Sequence, residues 1–201
     1  MNREQPYPKR RNVRLSSYDY SQPGAYFITI CTHGGRCLFG DIVDWQVSLN
    51  AVGDAIKEEF LRSFEIRKEM SPDAWVIMPN HLHAIVVISE VASALRFDSG
   101  DLPVAPTGAL KRPGPRQRSI SSLVGGFKAA ATRRVRQRDG AQRRRIWQRN
   151  YYEHVIRNER EFERLRDYTI GNPSRWFEDS LHPENLPRLK DERPENEEDD
   201  S

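Results

Sequence analysis

"AWVIMPNHLHAIVVI", residues 74 to 88, is two apolar runs broken only by Pro79-Asn80. Both runs are rich in β-branched and aromatic residues and short enough to be strands. Pro-Asn is a turn signal, so the segment predicts an antiparallel hairpin with almost no loop. Side chains alternate across a strand, which puts His81 and His83 on one face and Leu82 on the other. Two imidazoles held that way can pinch one metal ion. An isolated H-x-H pair also arises by chance as a surface or core feature, so the meaning of this one depends on what else reaches that face.

Upstream, "AYFITICT", Ala25 to Thr32, has strand composition and ends at Gly34-Gly35. From the N-cap residue Asn50, apolar side chains recur at Val52, Ile56 and Phe60, the period of an amphipathic helix. Downstream, residues 89–118 carry prolines and glycines without periodicity and predict an exposed loop. Beyond it Ile120, Leu123, Val124, Phe127, Ala131 and Val135 form one helical stripe, with Arg133 and Arg136 opposite. Ile146 to Ile156 is strand-like. Asn158 with Glu161 opens a last helix, which ends near Gly171-Asn172-Pro173 because the residue before proline avoids the helical region. The order strand, helix, strand, strand, helix, strand, helix predicts an α+β fold. It is the ferredoxin-like split βαβ pattern, an antiparallel sheet with helices on one face, plus an added C-terminal helix.

The 201 residues are 37% hydrophobic and 30% charged, lean for a globule, so polar appendages are expected around a smaller core. The expected division is a basic N-terminal extension over 1–23, one domain over 24–176 and an acidic, disordered tail over 177–201. Cys31 and Cys37 provide neither a disulfide framework nor a four-cysteine zinc site, and no apolar run is long enough to span a bilayer. A reducing, cytoplasmic setting, with no membrane partner, is expected. The net charge of +3 hides a segregation: residues 111–149 hold two lysines and eleven arginines against Asp139 alone, and residues 177–201 hold ten acids against three bases. Charge runs are usually solvated surface, but this basic density points to a polyanion such as nucleic acid, with the acidic tail a candidate competitor.

On the last helix Tyr168 and Asn172 stand at i and i+4, so their side chains are neighbours. The Asn172 amide oxygen is a candidate third ligand and the Tyr168 phenol a candidate nucleophile. Core packing of Tyr168 and simple helix termination by Asn172 explain the same residues equally well, and Tyr151 and Tyr152 are rival nucleophiles. His33 and His154 are read as structural.

The segments "YFITICT", "MPNHLHAIV", "SLVGGFKAAATRRV", "WQRNYYEHVIR" and "LRDYTIGNPSRW", in this order, resemble the REP-associated tyrosine transposases, a bacterial group of single-tyrosine HUH enzymes. The resemblance runs from about Gly24 to Trp176. It implies a divalent metal, Mg²⁺ or Mn²⁺, held by His81, His83 and Asn172, with Tyr168 attacking a DNA phosphodiester to leave a 5′-phosphotyrosine. Related insertion-sequence enzymes often have glutamine where this chain has Asn172. The implied partner is single-stranded or hairpin DNA from repeated palindromes, and a homodimer is an arrangement the sequence allows. Lys128, Arg133, Arg134 and Arg136, with Arg143, Arg144, Arg145 and Arg149, are the expected phosphate contacts. No nucleotide cofactor is expected, and the chain has no G-x-x-x-x-G-K-[ST] loop. The alternative is a DNA-binding or regulatory protein on the same scaffold whose catalysis has lapsed. Competent residues at every recognised catalytic position argue against it. A zinc deaminase would want a P-C-x-x-C partner, which is missing.

Overall fold

The structure is a computed structural model and describes residues 20–89, 118–139 and 145–186. Among the described residues six strands and three α-helices follow one another: β1 (Gly24–Cys31), β2 (Gly40–Val43), β3 (Gln46–Leu49), α1 (Ala51–Ile66), β4 (Met70–Met78), β5 (His81–Ile88), α2 (Ile120–Asp139), β6 (Tyr152–Ile156) and α3 (Glu159–Ile170). The 3-10 turns His33–Gly35 and Pro173–Glu178 complete the set. The main sheet has the order β4-β5-β1-β6 with every neighbouring pair antiparallel. This is the ferredoxin-like α+β arrangement: β5 and β1 lie at the centre, and the β1-α1-β4 crossover leaves a gap that β5 fills.

Alternation along the central strands separates two layers. Tyr26, Ile28 and Ile30 of β1 and Leu82, Ala84 and Val86 of β5 join Phe60 of α1 and Leu123 and Phe127 of α2 in the principal core. Phe27 and Ile85 face the other way and pack with Ala74 against Phe162 and Leu165 of α3. The two earlier helices therefore cover one face, and the added helix lies on the other. Burial of each large apolar side chain stabilises by about 1.5–3 kcal/mol, which is why the stripe Ile120 to Val135 fixes how α2 rolls on the sheet.

Asn50 caps α1 as its composition predicts, its Oδ1 accepting from the amides of Val52 and Gly53. Asn158 caps α3 by accepting from Glu161 N. The Glu161 carboxylate reaches back to the Arg157 amide, one residue before the cap.

Four features differ from the sequence expectation. β4 starts at Met70 rather than Ala74; Pro72 is tolerated because β4 is an edge strand and its register shifts between Pro72 and Trp75. The hairpin of β2 and β3 is absent from that expectation, since its turn residues Asp44 and Trp45 both have positive φ, 49° and 61°, where glycine or asparagine is the usual signal. The strand expected over 146–156 is confined to Tyr152–Ile156; Trp147 makes an isolated bridge to Thr32 and packs on Phe39 and Phe127. The packed chain also continues past the expected boundary at Trp176 to Leu186, because Asp179, Leu181 and His182 are buried against the sheet-and-helix body. The rest of that tail, most of the N-terminal extension and nearly all of the expected 89–118 loop lie outside the described residues. Among the described residues no helix is long and apolar enough to cross a membrane.

A candidate metal and tyrosine site

His81 and His83 enter the site from β5, on the face that carries Phe27 and Thr29 of β1. Their rings lie 4.4 Å apart between centroids and both are buried. Each has its second nitrogen held. His81 Nδ1 lies 2.8 Å from Asn80 Oδ1, and the Asn80 amide is oriented by donating from Nδ2 to the carbonyls of Gly35 and Leu181. A carbonyl oxygen only accepts, so His81 donates from Nδ1, and its Nε2 lone pair faces Asp179 Oδ2 at 3.8 Å. His83 Nδ1 is 2.9 Å from Thr29 Oγ1. Such outer partners orient the imidazoles and fix their tautomers in metal sites.

The opposite wall comes from the end of α3 and the turn after it. Asn172 has helical backbone angles, φ −60° and ψ −40°, despite preceding Pro173. The pre-proline preference yields here because burial and side-chain bonding hold the residue: its Nδ2 donates to Asp179 Oδ2 at 2.9 Å. The Asp179 Oδ1 accepts from the Leu181 amide. Asn172 Oδ1 is buried without a hydrogen-bond partner among the described residues. A buried amide oxygen left so costs about 1–3 kcal/mol, and a cation would satisfy it.

His81, His83 and Asp179 bring donor atoms within 4.8 Å of one another. With the Asn172 amide bonded to Asp179, two imidazoles, a carboxylate and an amide form a mixed nitrogen and oxygen donor set that favours Mn²⁺ over Mg²⁺ on affinity grounds. Sequence reasoning misses Asp179. It is one acid among ten in the expected tail, and no spacing rule marks it out. From sequence, Asn80 is only a turn residue and Thr29 only part of a strand.

Tyr168 stands on α3 with its hydroxyl 3.4 Å from His83 Nε2 and is partly exposed. Its ring meets Phe27 and His83 edge-on. A cavity of about 510 Å³ opens here, lined by Tyr168, His83, Thr29 and Tyr152 among others. Of the rival tyrosines, Tyr152 shares this cavity. Tyr151 points to the other face, donating to Glu153 Oε2 and lying 5.9 Å from the Lys128 ammonium. His154 bonds Glu161 Oε1 at 2.8 Å and so ties β6 to the start of α3.

The residues expected to grip DNA from α2 lie on the opposite side of the sheet from this site. Lys128 donates to the carbonyls of Gln148 and Asn150, and burial pushes its pKa down to about 8. Arg134 is paired with Glu59 and Glu58 of α1. Arg133, Arg136, Arg145 and Arg149 are exposed, while Arg143 and Arg144 lie outside the described residues.

No protein-family profile matches the chain. An uncharacterized protein of Haemophilus influenzae (strain ATCC 51907 / DSM 11121 / KW20 / Rd) is 36% identical over 178 residues, covering 86% of this chain and 93% of the relative. Among solved structures, a REP-associated tyrosine transposase bound to a REP hairpin superposes with a TM-score of 0.51 at 20% identity, covering 81% of this chain and 74% of that one. The class defined so far is an antiparallel α+β fold shared with that transposase, carrying a His-x-His pair on a central strand. Within it, the chain belongs to the family of the Haemophilus influenzae protein.

Proposed function

We propose that the protein is a metal-dependent DNA strand transferase, a tyrosine transposase acting on single-stranded or hairpin DNA, with Tyr168 as its nucleophile. The observation that carries this reading is the Tyr168 hydroxyl 3.4 Å from His83 Nε2 at the mouth of the donor cluster. Further support comes from the fold shared with a transposase bound to a REP hairpin.

His81, His83, Asp179 and Asn172 would hold the ion. When bound, it supplies positive charge to a non-bridging phosphate oxygen and to the charge that develops in the transition state. The Asp179 carboxylate would temper that charge relative to the all-neutral set expected from sequence. Tyr168 does the covalent work. A phenol has an ordinary pKa of about 10, so its proton must leave as the oxygen attacks. The Tyr168 Oη–P bond forms, the P–O3′ bond breaks, and the departing 3′ oxygen takes up a proton. One phosphodiester is exchanged for another, so the free 3′-OH can reverse the step or a different 3′-OH can complete the transfer. The balance needs no nucleotide cofactor. Phe27 and His83 flank the phenol ring and limit its swing, and Thr29 keeps the His83 ring in one orientation.

Cleavage of end-labelled hairpin oligonucleotides in Mn²⁺ or Mg²⁺ tests the reading. His81→Ala and His83→Ala are each expected to lose cleavage, and Asp179→Ala to lose most of it. Undiminished cleavage by either histidine variant, or by the native protein in chelator, would contradict the metal-dependent mechanism.

A further inference from the structure

The phosphate contacts expected on α2 are on the far side of the sheet from Tyr168, yet two other guanidiniums line the same cavity as the phenol, those of Arg164 and Arg175. Arg164 is four residues before Tyr168 on α3 and therefore one turn away on the same face. Arg175 follows on the 3-10 turn after Asn172. Tyr168 is bracketed by a cation on each side along the chain.

Arg175 is held ready by its surroundings. Its amide donates to the Asn172 carbonyl, so the arm and a metal-site residue share one turn. Its own backbone angles, φ −111° and ψ 18°, break the 3-10 geometry at that point. The guanidinium folds back over Gly171, where an added Cβ would lie 2.6 Å from Nη2. Glycine at the end of α3 thus leaves the shelf on which the charged group rests, beside the C-terminal carbonyls that favour a cation. Arg164 is more loosely kept: 71% of its side chain is exposed, and its contact to Glu161 Oε1 is 3.8 Å, with that carboxylate already bonded to His154 and the Arg157 amide. Asp167 also lines the cavity and offsets one positive charge, leaving the pair with a net +1 before any ion binds.

We infer that Arg164 and Arg175 form a phosphate-binding subsite that holds the DNA phosphodiester attacked by Tyr168, with Arg175 the principal contact. The inference rests on the proposed function and deepens it. A planar guanidinium meets two phosphate oxygens at once and keeps its charge at any working pH, which suits a group that must both position the diester and neutralise it as the phenolate oxygen attacks. A role confined to capping α3 would use the same residue but would be blind to the charge on the DNA.

The test is single-turnover formation of the protein–DNA adduct, with a natural diester and with a neutral methylphosphonate at the position the native protein cuts. Arg175→Ala is expected to slow attachment to the natural diester on the order of 100-fold, in the range seen for loss of one transition-state donor. Hairpin affinity should change only a few-fold, and the defect should shrink to a few-fold on the methylphosphonate. Arg175→Lys is expected to recover part of the rate, and the exposed Arg164→Ala to show a smaller defect of the same charge dependence. Equal defects on both substrates, or an undiminished rate in Arg175→Ala beside an active native protein, would overturn the subsite alone. A native protein that forms no adduct with any hairpin would overturn the strand-transfer reading and the subsite with it.

Discussion

His81 is oriented by the residue before it. Asn80 fixes which ring nitrogen carries the proton, and the same amide anchors the Gly35 and Leu181 carbonyls, so one side chain sets the tautomer and pins the segment that carries Asp179. Asn80→Ala is expected to weaken Mn²⁺ binding about 10- to 100-fold in calorimetric titration, the usual cost of losing an outer partner. Unchanged affinity would show that the tautomer needs no such support. The His-x-His pair was legible because strand alternation is a strict rule. Asn172 was legible only as a neighbour of Tyr168, and Asp179 was not legible at all: its place depends on how the chain turns after Pro173, which local sequence does not determine. The same holds for Arg164 and Arg175, two of the chain's many arginines until the cavity groups them.

At the level of elements, hydrophobic period carried most of the information. The stripe from Ile120 to Val135 and the cap at Asn50 match the helices as found. The hairpin of β2 and β3 escaped because Asp-Trp is not a turn signal, and β6 came out shorter because Trp147 serves the core instead of a ladder. Helix α1 approaches the chain closely at Gly53, where an added Cβ would overlap the Phe39 carbonyl oxygen. Gly53→Ala should therefore destabilise by about 1–3 kcal/mol in denaturant unfolding, as overpacking against backbone does; a neutral effect would mean that α1 can slide. Lys128, expected at the DNA, instead joins α2 to the segment before β6. Burial lowers its pKa from the ordinary 10.5 to about 8, with a smaller opposing effect from Cys31. Between those values the unfolded chain keeps a proton that the folded chain has lost, so this residue's contribution to stability rises with pH across that window and is constant below about 8. The Tm of the native protein should gain on that of Lys128→Met between about pH 8 and pH 10. A constant gap would contradict the burial of the ammonium.

On the scale of the whole molecule, charge is arranged on two faces. The helix α2 presents Arg133 and Arg136 away from the sheet, while Tyr168, the donor cluster and the cavity open on the other side. A hairpin that reaches both must wrap around an edge; if it does, Arg133→Ala with Arg136→Ala weakens binding without moving the cut. Removing one arginine–phosphate pairing should reduce the slope of log K against log salt by about 0.7 to 0.9. A shifted cut position would place α2 at the reaction centre instead. Removing residues 187–201, which carry seven acids and three bases, should tighten binding at low salt if the tail competes with DNA, and an unchanged affinity would retire that idea.

The proposed function requires that Tyr168 become covalently joined to DNA. Its most direct test is to incubate the full chain with labelled single-stranded hairpins in Mn²⁺, digest the product and locate the phosphorylated residue by mass spectrometry. A metal-dependent 5′-phosphotyrosine is expected at Tyr168, disappearing in Tyr168→Phe while the hairpin still binds. An adduct on Tyr152, or one that persists in Tyr168→Phe, would contradict it.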